Sequence, residues 1–348
     1  MKHKKTLIGI VLLAFCIACR FVTSVADFYA ERLYPAISRA LSWVGSLTHF
    51  SLEEIVVLAF VATLVGILFR AIRHREGFFR WLGRSLVVVM WLLVWFYMGW
   101  GNNYYRTGLY ERNGIQRVSY SEESFSAFLK EYAAALNQSA AQAGDYNGEN
   151  LETEIRSYYT VEVVPYGYTS LKDHQHIKKP LFSWFFSAVR VQGYIGPFLC
   201  ESQVNADVLP SEYPYVAAHE MAHLAGVTSE AEASWWGFDC CRRSVCPAVR
   251  YSGYLSVLPY VLSNAQALLA EEDYLSWVET ICPKARADYN AAREYWKGKR
   301  IGWIDRVQGW VYDLFLRSNG VSEGRKDYYG VVGMIMTMDA ITQRNYRH

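Results

Sequence analysis

The sequence predicts an α+β fold that is mostly helical, in two parts. Residues 1–101 form a membrane anchor of three transmembrane helices, and residues 102–348 form an extracytoplasmic domain with a small sheet. Three observations carry this prediction. Apolar residues crowd into three windows within the first hundred positions. Short β-branched and aromatic runs follow between positions 161 and 195. Helical apolar periodicity dominates after about position 210.

The anchor windows are TLIGIVLLAFCIACRFV (6–22), LEEIVVLAFVATLVGILF (52–69) and SLVVVMWLLVWFYMGWG (85–101). At 1.5 Å per residue each approaches the length needed to cross about 30 Å of hydrocarbon. The third is rich in Trp and Tyr toward its end, as expected near a lipid–water boundary. The first follows the basic start MKHKK. It has no clear small-x-small cleavage site and holds Arg20 near its end, so it reads as an uncleaved anchor rather than a signal peptide. The loop between the second and third windows carries Arg70, Arg73, Arg75, Arg80 and Arg84 against Glu76 alone. In the loop between the first and second, Arg32 and Arg39 are balanced by Asp27 and Glu31. Positive loops stay cytoplasmic. The expected protein is therefore multi-pass in the cell membrane, with a cytoplasmic N-terminus and everything after about residue 101 outside.

A net charge of +2 gives no footprint for nucleic acid. The expected partners are the lipid bilayer and a peptide or protein substrate. Of seven cysteines, Cys16 and Cys19 fall in the first span. Cys200, Cys240, Cys241, Cys246 and Cys282 fall in the outer domain, whose compartment permits disulfides. At least one bridge is expected among those five, with Cys246 bonded. Among those five no C-x-x-C spacing supports a thiolate zinc site.

In the outer domain, 119–137 reads as an amphipathic helix capped by Ser119 or Ser121, and 139–150 as a polar loop. VEVVPYGY from Val161 and VRVQGYI from Val189 read as strands. Between them, Trp184, Phe185 and Phe186 stand beside Lys178 and Lys179, as a helix resting on the membrane surface or packed in the core. After HEMAH come helical patterns in VLPYVLSNAQALLAEEDYLSWVETIC, DRVQGWVYDLFLRS and the tail YYGVVGMIMTMDAITQ.

The chemistry concentrates in HEMAHLAGVTSEAEASWW, 219–236. His219 and His223 are four apart, which on a helix sets both imidazoles on one face, one turn apart, where they can share a Zn²⁺. In an H-E-x-x-H arrangement the carboxylate of Glu220 does not bind metal but moves a proton as general base. The flank LPSEYPYVAAHEMAHLAG suits a helix, with Ser211 a possible cap, Pro214 in the first turn and Gly226 at the end. His174 and His176 lie in a polar loop and are weak metal candidates.

WGNNYYR from Trp100, GYIGPFLCESQVN from Gly193, HEMAHLAGVTSEAEASWWGF from His219, RYSGYL from Arg250 and SNGVSEGRKDYYGVV from Ser318 together resemble a bacterial family of multi-pass membrane proteins of unknown function. That family has a zincin-like, gluzincin-type outer domain. The resemblance implies a membrane anchor joined to a zincin-type metallopeptidase domain, and it implies no particular substrate. The family's usual Asn-Pro-Phe-Thr-Gly-Glu departs here: Gly196 stands for Asn and Leu199-Cys200 for Thr-Gly, while Glu201 and Asn205 are kept. In zincins a strand ahead of the active-site helix pairs with extended peptide, a role open to VRVQGYI. Tyr251 and Arg250, with Tyr254 behind, are the candidate oxyanion donors, or else packing residues.

A zinc site with two histidines needs a third protein ligand. The family's Glu-Ala-Asn glutamate aligns with Glu232, two positions beyond Glu230. Residues two apart on a helix face different sides, so one of the pair is chosen. The expectation is Glu232 rather than Glu230, with Asp239 a more distant candidate. Glu232 is also placed to act in a capping box begun by Ser229. The expected function is a membrane-anchored zinc metallopeptidase. The alternatives are an envelope protein with a structural zinc and a zinc amidase acting on peptidoglycan.

Overall fold

The computed structural model describes residues 2–119, 121–144, 148, 150–320 and 330–345. The chain begins with α1 (Lys2–Phe21), α2 (Thr23–Phe28), a π-helical turn (Tyr29–Leu33) and α3 (Tyr34–Gly45). Two long helices follow, α4 (Leu52–Arg73) and α5 (Phe78–Gly99). Next come α6 (Leu109–Arg112), α7 (Glu122–Gln142), α8 (Leu151–Val161), β1 (Ile177–Lys178), α9 (Ser183–Ala188), β2 (Gly193–Gly196) and β3 (Glu201–Val204). The remainder is helical: α10 (Tyr213–Leu224), α11 (Glu230–Arg242), α12 (Pro247–Leu268), α13 (Glu271–Thr280), α14 (Pro283–Lys299), α15 (Gly302–Ser318) and α16 (Val331–Asn345). The fold is mostly helical with one small sheet among the described residues.

α4 and α5 are long and apolar enough to cross a membrane. α1 qualifies only with the chain after it, from which it is bent by 116°. The bend falls at Val22, whose extended backbone interrupts the helix. α5 begins seven residues before the expected window, because Phe78, Phe79 and Trp81 add a helical turn and more. Of the arginine-rich stretch only 74–77 is a turn, and Glu76 there pairs with Arg70 of α4 and Arg84 of α5.

The strand expected at Val161 is not formed. Val161 ends α8, and Val164–Tyr166 is a 3-10 turn. Pro165 there has no N–H to give a ladder, and Gly167 at φ +77 turns the chain. The second expected strand forms only over its last part, as β2. The sheet order is β1-β3-β2, with β1 parallel and β2 antiparallel to β3, so β2 is an edge strand.

Ser121 caps α7 as expected, its hydroxyl accepting the Ser124 N–H at 3.2 Å. Ser211 does not cap α10, which starts after Glu212 without a side-chain cap. Gly226 does end that segment, at φ +95. The run 257–282 is two helices, α12 and α13, separated at Leu269 and Ala270. Much of the resembling segment from Ser318 (321–329) lies outside the described residues.

No cysteine is bridged; all seven are free thiols, Cys246 included. Cys240 and Cys241 are neighbours on α11 and so point to different sides. Cys200 is buried with its thiol donating to the Gly99 carbonyl. Cys246 and Cys282 head two different helices, at the caps of α12 and α14. Burial pushes the Cys240 thiol well above its ordinary value, which makes it a poor nucleophile for disulfide exchange.

A polar junction joins the first turn of α4 to the sheet. Lys178 Nζ meets Glu201 Oε1 at 2.7 Å, with both side chains almost fully buried. Lys178 also donates to the Gly45 and Phe50 carbonyls. Glu201 accepts the Glu53 N–H at 3.1 Å. Glu53 in turn accepts the N–H groups of Phe198 and Leu199, both at 3.1 Å, and Glu54 accepts those of Leu181 and Phe182. Removing one member of a buried pair leaves the other charge uncompensated, at a cost of about 3–5 kcal/mol. We therefore expect Lys178→Ala to unfold at markedly lower temperature in detergent micelles than wild type. Lys178→Met combined with Glu201→Leu should lose less than either single change. Equal melting of Lys178→Ala and wild type would refute the role given to this pair.

Candidate metal centre

α10 and α11 form a helical hairpin that turns at Gly226. Ser229 caps α11, its hydroxyl accepting the Glu232 N–H at 3.2 Å. The two helices approach closely where Gly237 lies over His219: a Cβ there would meet the His219 backbone nitrogen at 3.0 Å. The end of α10 is held from three directions. Tyr159 donates to the Ala218 carbonyl, Trp100 to that of His223 and Tyr34 to that of Leu224, at 2.8, 2.9 and 2.9 Å.

This packing turns both imidazoles toward the first turn of α11. His219 Nε2 lies 3.2 Å and His223 Nε2 3.7 Å from one oxygen of Glu230, Oε2. One ligand atom from each residue can be chosen so that all lie within 4.8 Å of one another, and all three side chains are buried. His223 Nδ1 lies 2.7 Å from the Val227 carbonyl, which can only accept. Nδ1 therefore carries a hydrogen, and in the neutral ring Nε2 keeps its lone pair facing the cluster. Tyr312 of α15 donates to the other oxygen of Glu230 at 2.7 Å.

The carboxylate beside the histidines is thus Glu230, not the expected Glu232. Glu232 is turned to the other side of α11, where Tyr168 donates to it, with Arg106 and Arg112 nearby. The reason is the phase of the cap. Ser229 starts the helix, so its first residue faces back across the turn to α10, and the residue two further on faces away. Asp239 is also elsewhere, paired with Arg242 and Arg243. His174 meets Ser42 at 3.0 Å, and His176 meets the His174 carbonyl.

Glu220 shares the cluster's cleft, and its Oε2 is a buried atom with no hydrogen-bond partner among the described residues. Gly193 of β2 packs directly on this carboxylate; a Cβ there would come within 2.6 Å of it. Burial, with the Glu230 charge adding to it, raises the Glu220 carboxyl to about 8, although His223 opposes the shift. Burial also disfavours the charge on both histidines. It wins at His219, whose pKa is lowered, whereas at His223 the carboxylates of Glu230 and Glu220 and the Val227 carbonyl outweigh it and raise the ring to about 9. Glu230 is held well below the carboxylate range by the two imidazoles despite its burial.

The proposed oxyanion donors are not in the cleft. Tyr251 donates to Asp288 at 2.7 Å, and Arg250 is spent on the Ser244 and Val245 carbonyls and Gln142. Tyr254 packs on Tyr132 and Phe238. The cleft, of about 650 Å³, is lined instead by Tyr260 of α12 and by Asp305, Gln308 and Tyr312 of α15. A sequence signal for α15 existed: 305, 308 and 312 make a polar stripe at helical spacing, opposite the apolar Trp303, Val307, Trp310, Val311 and Leu314.

Two imidazoles and a carboxylate, buried and converging, can hold a metal ion. We expect Glu230→Ala to abolish stoichiometric metal binding by the purified protein and Glu232→Ala to keep it, as read by metal analysis after dialysis. The reverse result would overturn the geometry. In the ion-free protein the His223–Glu230 pairing stabilises the fold fully below the ring's ordinary value and is lost as pH rises through about 9. Binding must displace that proton, so wild-type metal affinity should rise roughly tenfold per unit between about pH 7 and 8. Calorimetry in buffers of different ionisation enthalpy would show the released proton.

No curated protein and no solved structure matches this chain. A family described as "Protein of unknown function (DUF3810)" matches residues 29–336, a span that takes in the junction, the cleft and all of α10 to α15. On that match, the chain belongs to the DUF3810 family.

Proposed function

We propose that the protein is a membrane-anchored zinc metallopeptidase that hydrolyses peptide bonds outside the cytoplasm. The observation that carries this reading is the unpaired, buried Oε2 of Glu220 in the same cleft as the His219, His223 and Glu230 cluster. Three protein donors leave one coordination position open, which is the catalytic pattern of zinc and not the closed four-ligand pattern of a structural ion. Zn²⁺ held there would polarise a scissile carbonyl and lower the pKa of a water molecule. Glu220 takes up a proton at Oε2 and returns it to the leaving amine nitrogen, a role that suits a carboxyl raised toward neutrality. Tyr312 fixes the second oxygen of Glu230 and so orients the carboxylate. β2, an edge strand along the cleft, offers backbone groups to an extended substrate. The zincin-like character of the domain is part of this proposal.

Glu220→Gln should keep its metal and lose two to four powers of ten in turnover, roughly the contribution of a general base. The assay is hydrolysis of a mixed peptide pool, with peptidoglycan fragments in parallel. A zinc-loaded variant with undiminished turnover would sink the mechanism.

Two observations support the topology proposed here. The first residues of α4 and the last of α5 both pack against the sheet region, through Glu53 on Phe198 and through Gly99 on the Pro197 carbonyl. The turn at 74–77, at the middle of the arginine-rich stretch 70–84, is then a full helix length away, about 33 Å. With that turn cytoplasmic, the domain lies outside. Protease added to intact cells should reach it, and a C-terminal reporter active only in the cytoplasm would overturn the orientation.

A further inference from the structure

α15 has two faces that a soluble domain would not combine. Asp305, Gln308 and Tyr312 line the cleft. The opposite stripe, Trp303, Val307, Trp310, Val311 and Leu314, is more than half exposed at every position. Beside it, α9 exposes Trp184 to a similar degree.

These surfaces adjoin the outer ends of the spanning helices. Phe315 of α15 packs edge-on against Phe96 in the last turn of α5, at 5.7 Å between ring centres. Tyr97 of α5 donates to Asn319, just past the end of α15, at 3.1 Å. The chain entering α9 is hung on the first turn of α4, where Glu54 accepts the N–H groups of Leu181 and Phe182. The apolar stripe therefore continues the apolar surface of α4 and α5 at the level where those helices leave the bilayer. Exposed tryptophan at that level, flanked by the exposed Arg306 and Arg317, is the chemistry of the acyl–headgroup boundary.

A groove of about 580 Å³ between α9 and α15 is walled by Phe185, Trp303, Val307 and Val311. It shares Gln308, Tyr312 and Phe315 with the cleft, so the cleft and this lipid-side groove meet at α15.

We infer that α15 and α9 lie in the outer-leaflet interface and that the cleft opens along the membrane surface, so that its substrate is a polypeptide itself held at the bilayer. The substrate class rests on the peptidase reading; the placement of α15 does not. The test uses the full-length chain in phospholipid vesicles. An environment-sensitive NBD fluorophore is attached at Val307→Cys or Trp310→Cys, with Cys246 and Cys282 replaced by Ser, and at Glu294→Cys on α14 as an exposed control. Lipids brominated near the headgroup end of their chains should remove roughly half or more of the emission at 307 and 310 and little at 294, as burial at the acyl boundary requires. Unquenched emission at 307 and 310, as a protein partner covering the stripe would give, overturns the placement.

The substrate class is read separately, with one peptide sequence presented free or tethered to the vesicle by an acyl chain. Tethering should raise kcat/KM roughly tenfold or more through effective concentration, and Val307→Glu with Trp310→Glu should cut only the tethered rate. Equal rates on both forms overturn the substrate class. Hydrolysis of neither form counts against the peptidase reading, and quenching then decides the interfacial placement by itself.

Discussion

The buried pair Lys178–Glu201 is the constraint on which the rest of the architecture depends. Two charges are taken from water at the seam between α4, an apolar helix long enough to span a membrane, and a three-stranded sheet. Such a pair is tolerable because each charge has further partners: carbonyls at the end of α3 and in the chain after it for the lysine, and backbone N–H groups of α4 for the glutamate. Charge in an interior demands fixed geometry, since any slippage leaves an ion unpaired. The seam therefore sets the angle and height at which α4 meets the sheet, and with them the position of β2.

From that seam the cleft follows. β2 hydrogen-bonds to β3, whose first residue is Glu201, and β2 carries Gly193 onto Glu220. On the opposite side, Trp100 at the end of α5 grips the His223 carbonyl. The same two long apolar helices, α4 and α5, thus hold both faces of the catalytic helix proposed here. The family motif's Glu201 has a structural task in this arrangement, as a joint between sheet and span.

Glu230 shows how a helical hairpin selects one carboxylate from two. The cap at Ser229 fixes the phase of α11, and the close crossing at Gly237 fixes its distance from α10. Glu230 then falls between two imidazoles and takes a depressed pKa, whereas Glu232, only partly buried, accepts from the Tyr168 hydroxyl and has a pKa that burial raises. The two residues are chemically identical and two positions apart: at Glu230 the imidazoles overcome burial, whereas at Glu232 burial outweighs the Tyr168 hydroxyl and the nearby Arg112 and Arg106.

The sequence by itself determined whatever depends on local spacing. The apolar windows located helices able to span a membrane. The i, i+4 histidines, the glycine after them and the serine cap fixed the hairpin and placed His219, Glu220 and His223 in one cleft. It misplaced whatever depends on partners far along the chain. The strand expected at Val161 became a helix end, and a two-residue β1 takes the place beside β3. Tyr251 and Arg250 follow the motif closely yet turn to Asp288 and Ser244, while Tyr312, over eighty residues from Glu230, completes the cluster. Spacing within a helix fixes direction to within a turn, so local chemistry is legible from sequence. Which side of α11 meets the histidines, and which helix closes the cleft, are set by packing between distant segments, and only the tertiary structure decides them.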